Sequence, residues 1–374
     1  MFPESELILP LKLAFRDLNH NATTDADACQ LITWLKENNN CAKATARVYR
    51  TIILRFYLYV KFDQKLTLDQ VKRGNIIDYQ IFLRNPPKEW QGTFRPLEHQ
   101  LWRPFSCKKL ISKTIAYNVQ VIQQLFLYLK NTEYLKSTPA AIPLKVKYDK
   151  DSDSILNKYF TEKEYPQISA FIKNQTTKTD KQEELKVRGT WIFSLLIGTG
   201  ARRSEVANAT MNDVVFNEDR IWLKVLGKGN KSGTIPITNQ IEMALNEYRA
   251  YYNLPPIRQR IESEKNIPLI IKTFKNGKYM TFNSALIGWQ LKKIGQDMIK
   301  SKLDICHSFR TKLQNISTHW MRHTSATIQA NCGIDIRYVQ KNLRHASIET
   351  TMRYQHVEKN VQHLETCSKF VLDL

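Results

Sequence analysis

The chain has 374 residues, enough for two or three domains that each bury a core. It carries 56 Lys and Arg against 35 Asp and Glu, a net charge of +21 that points to a polyanionic partner. The longest apolar run, 191–200, is shorter than the ~20 residues that span a bilayer. Glu4 and Glu6 precede the apolar stretch 7–15, where a secretion signal needs positive charge. The reading is a cytoplasmic protein that faces nucleic acid rather than membrane. The six cysteines include no C-x-x-C pair, which argues against a disulfide framework and a zinc module.

Residues 1–24 carry a weak signal and read as an N-terminal extension. From 25 to 140 the pattern is helical. Ala46, Tyr49, Ile52, Ile53, Phe56 and Tyr57 recur at spacings of three and four, the mark of an apolar helix face. Lys43, Arg47, Arg50 and Arg55 are interleaved with them, and the first three are candidates for contact with an anionic backbone. Val71, Ile76, Ile77, Tyr79, Ile81 and Phe82 predict another helix. Ile111, Ile115, Val119, Val121, Ile122, Leu125, Phe126 and Leu129 predict a longer one. Between these two helices, 85–108 holds Pro86, Pro87, Pro96 and Pro104 among aromatic and basic residues and reads as an ordered insertion or loop. A linker is expected over 141–156, where K-V-K-Y-D-K-D-S-D-S concentrates charge.

The second domain is expected over 157–374. Residues 185–197 predict a helix that stops at Gly198. Strands are expected at 221–226 and 234–237 around the turn G-K-G-N-K-S-G, and a short hairpin at 269–272 and 279–281. Helices are expected at 282–301 and 318–331. Tyr338 reads as a core residue of a following helix.

Four blocks in this half carry chemistry. In T-G-A-R-R-S-E at 199–205, Arg202 opens a helix. An arginine there meets a phosphate together with free N–H groups and the positive end of the helix dipole. Arg203 competes for the role, and the bland alternative is a surface arginine capping Glu205. Lys228 lies between two glycines in a predicted turn, where an ammonium can reach a ligand; a solvated lysine is the plain alternative. His319 and Arg322 are three apart and share a helix face, so one can move a proton while the other holds a phosphate. His319 and His323 have zinc-like spacing, but no Glu lies between them and no cysteine pair is near, so His323 reads as structural. Tyr354 is one of 16 tyrosines; a phenol is a weak nucleophile unless cations surround the phosphate it attacks.

Together these blocks resemble the tyrosine recombinases, the family of phage integrases and Xer-type enzymes. The resemblance runs through T-G-A-R-R-S-E at 199–205, V-L-G-K-G-N-K at 225–231, H-W-M-R-H-T at 319–324, L-R-H-A-S at 343–347 and T-T-M-R-Y at 350–354. It covers roughly 160–374 well, and 25–140 in pattern only. It implies a mainly α fold with small β-hairpins. A helical core-binding domain at 25–140 and a mixed α/β catalytic domain at 157–374 would form a C-shaped clamp on DNA, with a tail at 358–374. It implies a site-specific DNA recombinase acting through a 3′-phosphotyrosine, without metal, ATP or other cofactor.

On this sequence the resemblance makes Arg202 and Arg322 a phosphate clamp, and Lys228 the general acid for the 5′ oxygen. His319 becomes the base or proton relay, His345 a phosphate hydrogen-bond donor, and Tyr354 the nucleophile. Arg203, Lys231 and Arg344 are added as candidate DNA contacts beside Lys43, Arg47 and Arg50. The implied partners are double-stranded DNA with paired recognition sites and further copies of the chain. A homotetramer is expected in synapsis, a monomer or dimer off DNA, and a bacterial, nucleoid-associated location serving a mobile element or plasmid and chromosome maintenance. With only about 24 residues before the helical pattern, a simpler recombinase is expected rather than a two-site integrase. The sequence departs from the family at Arg344, where glycine is usual, and at Arg203, where an apolar residue is usual. The alternatives are a non-catalytic helix-turn-helix protein, built on 334–343 and 348–354, and a type IB topoisomerase-like activity.

Overall fold

The computed structural model describes residues 5–19, 21, 23–40, 43–106, 109–142, 146, 158–227, 232–275, 277–301, 303–345 and 347–352. Its contacts divide the chain into two units, Met1–Ser152 and Asp153–Leu374.

The first unit is built from α1 (Ser5–Asp17), α2 (Ala26–Glu37), α3 (Lys43–Leu58), α4 (Arg73–Arg84) and α5 (Ser112–Asn131). A two-residue parallel pair, β1 (Gln91–Gly92) and β2 (Phe105–Ser106), lies between α4 and α5 in the chain. Helix α2 starts where the Asp25 carboxylate accepts the Ala28 N–H at 2.9 Å, satisfying one donor that a helix start leaves open. The predicted apolar faces of α3 and α5 meet in the core: Ile53 and Phe56 are wholly buried with Ile115, Ile122 and Phe126. Phe56 and Phe126 pack edge to face, centroids 5.8 Å apart. Emptying that contact with Phe126→Ala would cost about 3–5 kcal/mol.

Residues 5–17 are not a bare extension. They form α1, which buries Ile8, Leu11, Ala14 and Phe15 in this core. Their sequence hides the helix because Pro10 falls inside a nearly unbroken apolar run, so no polar face marks the period. The 85–106 stretch is ordered as expected and is pinned by Trp90 and Phe105, both buried.

The second unit follows the order α6 (Tyr165–Lys173), α7 (Asp180–Thr199), α8 (Arg203–Asn208), β3 (Val214–Asn217), β4 (Arg220–Leu226), β5 (Ser232–Ile237), α9 (Asn239–Tyr251), β6 (Ile271–Lys275) and β7 (Lys278–Thr281). It closes with α10 (Ser284–Lys300), α11 (His307–Gln314), α12 (Thr318–Asn331), α13 (Ile336–Leu343) and α14 (Ile348–Met352). The antiparallel sheet has the order β3-β4-β5, with Leu223 opposite both Val214 and Ile235. In β4 the alternating Ile221, Leu223 and Val225 are the buried face. The expected mainly α fold with small β-hairpins is what is seen.

Helix α7 is the spine of this unit and touches α6, α9, α10 and α12. Thr179 caps its start by accepting the Gln182 N–H, and Asp180 and Glu183 sit at the positive end of its dipole. Arg188, only 3% exposed, donates to the carbonyls of Ile271 (2.8 Å) and Lys272 (2.6 Å) and pairs with Glu184, tying the β6-β7 hairpin to α7. The helix does not stop at Gly198. It runs to Thr199, and Gly200 ends it in the left-handed conformation at φ +59°. Gly198 stays helical because it is a packing glycine: a Cβ there would collide with Ile241 of α9. Tyr338 is also not core. Val339 and Leu343, four apart, form the buried face of α13 and leave Tyr338 59% exposed.

Candidate active site

The end of α7 delivers a short connection, Gly200–Arg202, into α8. Arg202 is the N-cap of α8, and the Glu205 side chain accepts its backbone N–H at 2.6 Å, the return half of a capping box. Glu205 also pairs with the Arg202 guanidinium at 3.0 Å. The expected bland contact is therefore present, but it is not the whole environment. Arg202 Nη2 donates to the carbonyl of Arg344 at 3.2 Å, across 142 residues of sequence. Its side chain remains 39% exposed.

Arg322 lies on the buried face of α12 and is 5% exposed. Its Nη1 donates to Gly200 O at 2.6 Å, and its Nη2 donates to Leu343 O. Gly200 is needed here twice, for its positive φ and for room. A Cβ would come within 2.7 Å of Leu343 Cδ2. The two arginines thus hold the same stretch, Leu343–Arg344, from two sides and lie beside His345.

His345 is half-buried. Its backbone is clamped by Gln340, whose carbonyl accepts the His345 N–H at 3.1 Å while its side-chain amide donates to His345 O at 3.1 Å. Its Nδ1 shares a 2.8 Å hydrogen bond with the hydroxyl of Thr351, a fully buried residue of α14. Burial first, then the charges of Arg322, Arg202 and Arg344, push the imidazole pKa down to about 4. His345 is therefore neutral near pH 7. His323 is buried and also held at about 4, by desolvation and then by His319 and Arg322, which accords with a structural residue. The rings of His319 and His323 meet edge-on at 4.1 Å, with His319 at the surface.

Arg344 is placed differently from its expectation as a DNA contact. It ends α13 in the left-handed region at φ 52°, a position that favours glycine. Its side chain, 15% exposed, crosses Gly233 of β5 and pairs with Glu205. A Cβ on Gly233 would approach its Cδ to 2.7 Å. Burial lowers its pKa, and Glu205 opposes that shift. Glu205 itself, 3% exposed, is a site residue that the motif reading passed over, as is Thr351. The R-R-S-E capping pattern was the available signal for Glu205; Thr351 lies inside the T-T-M-R-Y block, which singled out only Tyr354.

Arg202 and Arg322 are thus brought to His345, and His319 is near enough for its charge to act on that ring. Arg203, the first residue of α8, is exposed; Arg47 of α3 is exposed and Arg50 is partly buried. Lys43 opens α3. Lys228 and Lys231 fall between β4 and β5 in the chain and Tyr354 follows α14; all three lie outside the described residues. Among the described residues no group of three His, Cys, Asp or Glu side chains is arranged to hold a metal ion, and no helix is long and apolar enough to cross a membrane.

The second unit is mainly helical with a three-stranded sheet, and two arginines converge beside a half-buried histidine. Residues 158–361 match the model of the phage integrase family, and the chain belongs to that family. It is 28% identical over 315 residues to tyrosine recombinase XerC of Lacticaseibacillus casei, covering 82% of this chain and 93% of the relative. XerC of Staphylococcus carnosus is 32% identical over 183 residues, which cover 49% of this chain and 53% of that protein. Among solved structures, XerH site-specific recombinase bound to palindromic difH substrate, a post-cleavage complex, aligns over 99% of this chain and 98% of its own. Its TM-score is 0.60 at 17% identity. The Tn1549 transposon integrase with circular intermediate DNA aligns over 91% and 98% with a TM-score of 0.61, also at 17% identity. These two likenesses concern the fold.

Proposed function

We propose that Arg202, Lys228, His319, Arg322, His345 and Tyr354 form one phosphoryl-transfer site. The protein is a tyrosine-type site-specific DNA recombinase. The observation that carries the residue assignment is the convergence of Arg202 and Arg322 on the Leu343–Arg344 carbonyls next to His345. A scissile phosphate bound there meets two guanidinium groups and a neutral imidazole. In this reading the Thr351 hydroxyl, 2.8 Å from His345 Nδ1, is the donor of that bond, and the ring proton stands on Nε2 to donate to a phosphate oxygen.

The Tyr354 oxygen attacks phosphorus while the bond from phosphorus to the 5′ oxygen breaks. Lys228 gives a proton to that leaving oxygen, and His319 takes or relays the phenol proton. The products are a 3′-phosphotyrosine and a free 5′-hydroxyl. A 5′-hydroxyl from the partner duplex reverses the step, so bond energy is conserved and no net hydrolysis occurs. Charge that builds on the phosphate in the transition state is where fixed donors act most, each worth about 3–4 kcal/mol.

Residues 25–140 act in this reading as the core-binding domain, 157–374 as the catalytic domain and 141–156 as their linker. Lys43, Arg47, Arg50, Arg203 and Lys231 supply backbone contacts. The chain works as a homotetramer on paired sites in the bacterial cytoplasm, serving a mobile element or replicon maintenance. Membership of the integrase family favours strand exchange over a non-catalytic helix-turn-helix protein and over a relaxing topoisomerase.

The test uses a nicked duplex carrying the protein's site, which traps the covalent adduct when the released fragment diffuses away. Wild type is expected to form a gel-shifted adduct, and Tyr354→Phe to bind without forming it. Adduct formation by Tyr354→Phe at the wild-type rate would remove Tyr354 from the role.

A further inference from the structure

We infer that the 92–105 segment and helix α3 form the two walls of a phosphate site that takes the backbone of bound DNA. The segment then becomes a nucleic-acid contact in its own right. A cleft of about 310 Å³ separates them, and six arginines line it: Arg16, Arg47, Arg50, Arg55, Arg95 and Arg103. No carboxylate is among the lining residues; Asp17 and Glu98, outside the lining, both pair with Arg16. Like charges gathered in one concave site repel one another, so an arrangement of this kind is stabilised by an anion.

The cations of this region take two positions. One set fastens the segment. Lys12, 1% exposed, donates to His99 O at 3.2 Å and lies 5.3 Å from the Trp102 ring. Arg16 reaches Glu98 at 3.2 Å. Arg55 donates to Pro104 O at 2.7 Å and lies over Phe105 at 4.7 Å. These contacts make the second wall a fixed surface rather than a loose loop. The other set faces the cleft. Arg47 is exposed on α3, and Arg50 spends one nitrogen on Arg16 O while its buried Nε has no hydrogen-bond partner. Arg95 and Arg103 belong to the opposite wall and are only partly buried; Arg95 Nη1 lies 3.1 Å from His99 Nε2, and Arg103 Nη1 donates to Trp102 O at 2.8 Å.

Arginine forks hold phosphate oxygens in pairs, and the cleft is the size of one sugar-phosphate step rather than of a duplex. Phe94 stands at its rim, 84% exposed. An exposed aromatic ring beside arginines suits a sugar or base edge, which selects nucleic acid over a free inorganic anion. The inference adds to the recombinase reading by naming a second wall and its ligand, and it rests on that reading only for the identity of the DNA.

The test compares wild type, the double variant Arg95→Ala/Arg103→Ala, and Thr93→Glu, which sets a carboxylate at the rim without removing any arginine. Binding to a duplex carrying the site is measured over a range of salt. Each lost phosphate contact should lower the slope of log K against log salt by about 1. The double variant is expected to lose close to two in slope and at least tenfold in affinity at low salt. Thr93→Glu, which reports even where the double variant folds poorly, is expected to weaken binding several-fold. Wild-type affinity and slope in both variants would overturn the inference. Stabilisation of wild type by pyrophosphate or a mononucleotide, with no competition from duplex, would overturn DNA as the ligand. Covalent capture of nicked DNA is scored separately. A wild type that shows the arginine-dependent slope but never forms an adduct would sink the recombinase reading and leave the cleft standing.

Discussion

Arg344→Gly sets two effects against each other, and the structure decides the sign. Arg344 holds a left-handed backbone at φ 52°, which costs an L-residue about 1–2 kcal/mol and glycine nothing. Glycine also loosens the unfolded chain, which takes back roughly 0.5–1 kcal/mol of that gain. On the other side, the guanidinium is one partner of a nearly buried ion pair whose carboxylate is 1% exposed. Breaking such a pair by removing one partner costs about 3–5 kcal/mol. Glu205 keeps Arg202 and its N–H, so the low end applies. The net expectation is a loss of about 2 kcal/mol, or roughly 4–8 °C in the melting temperature of a domain this size. Arg344→Ala is the internal control. It loses the same ion pair but keeps the Cβ and therefore the backbone strain, so stability should rank wild type, then glycine, then alanine. Thermal unfolding gives the ranking. Capture of a nicked duplex at 25 °C reads the consequence for Arg202, and a fall of about tenfold is expected. A glycine variant that melts at or above wild type would show that strain outweighs the pair and refute the reasoning.

Three further expectations follow from the same geometry. Thr351→Val removes the 2.8 Å partner of His345 and should slow adduct formation about fivefold, the worth of one hydrogen bond, while Thr351→Ser keeps the rate; equal rates for all three proteins would exclude the contact. His345 and His323 are both held at about 4 against an ordinary value near 6.5, so the unfolded chain takes up protons in that interval that the folded chain refuses. Stability should accordingly be full above pH 6.5 and decline toward pH 4, with His345→Gln shrinking the decline; a melting temperature that is flat from pH 7 to 5 would contradict it. Gly198→Ala forces a methyl group into Ile241 and should cost about 1–3 kcal/mol despite alanine's better helix propensity, whereas a stabilised variant would mean that α9 simply shifts aside.

The sequence by itself determined the parts. The period of the apolar residues marked α3, α4 and α5 nearly to their ends, because a helix face is written every three or four residues. The turn between two β-rich runs marked the β4-β5 hairpin, and the ordered motif blocks singled out Arg202, His319, Arg322 and His345. Only the tertiary structure decided what those side chains meet. Arg322 reaches Gly200 across 122 residues, Arg202 reaches Arg344 across 142, and Arg344 turns inward to Glu205 across 139. No local pattern encodes such partners, since they depend on which surfaces the core brings together. The same limit explains α1, whose apolar run gave no face until a core existed to bury it. It explains Tyr338 as well: it sits one residue from the Val339–Leu343 stripe yet points to solvent. Spacing along the chain tells which face a residue is on; the neighbouring element tells whether that face is covered.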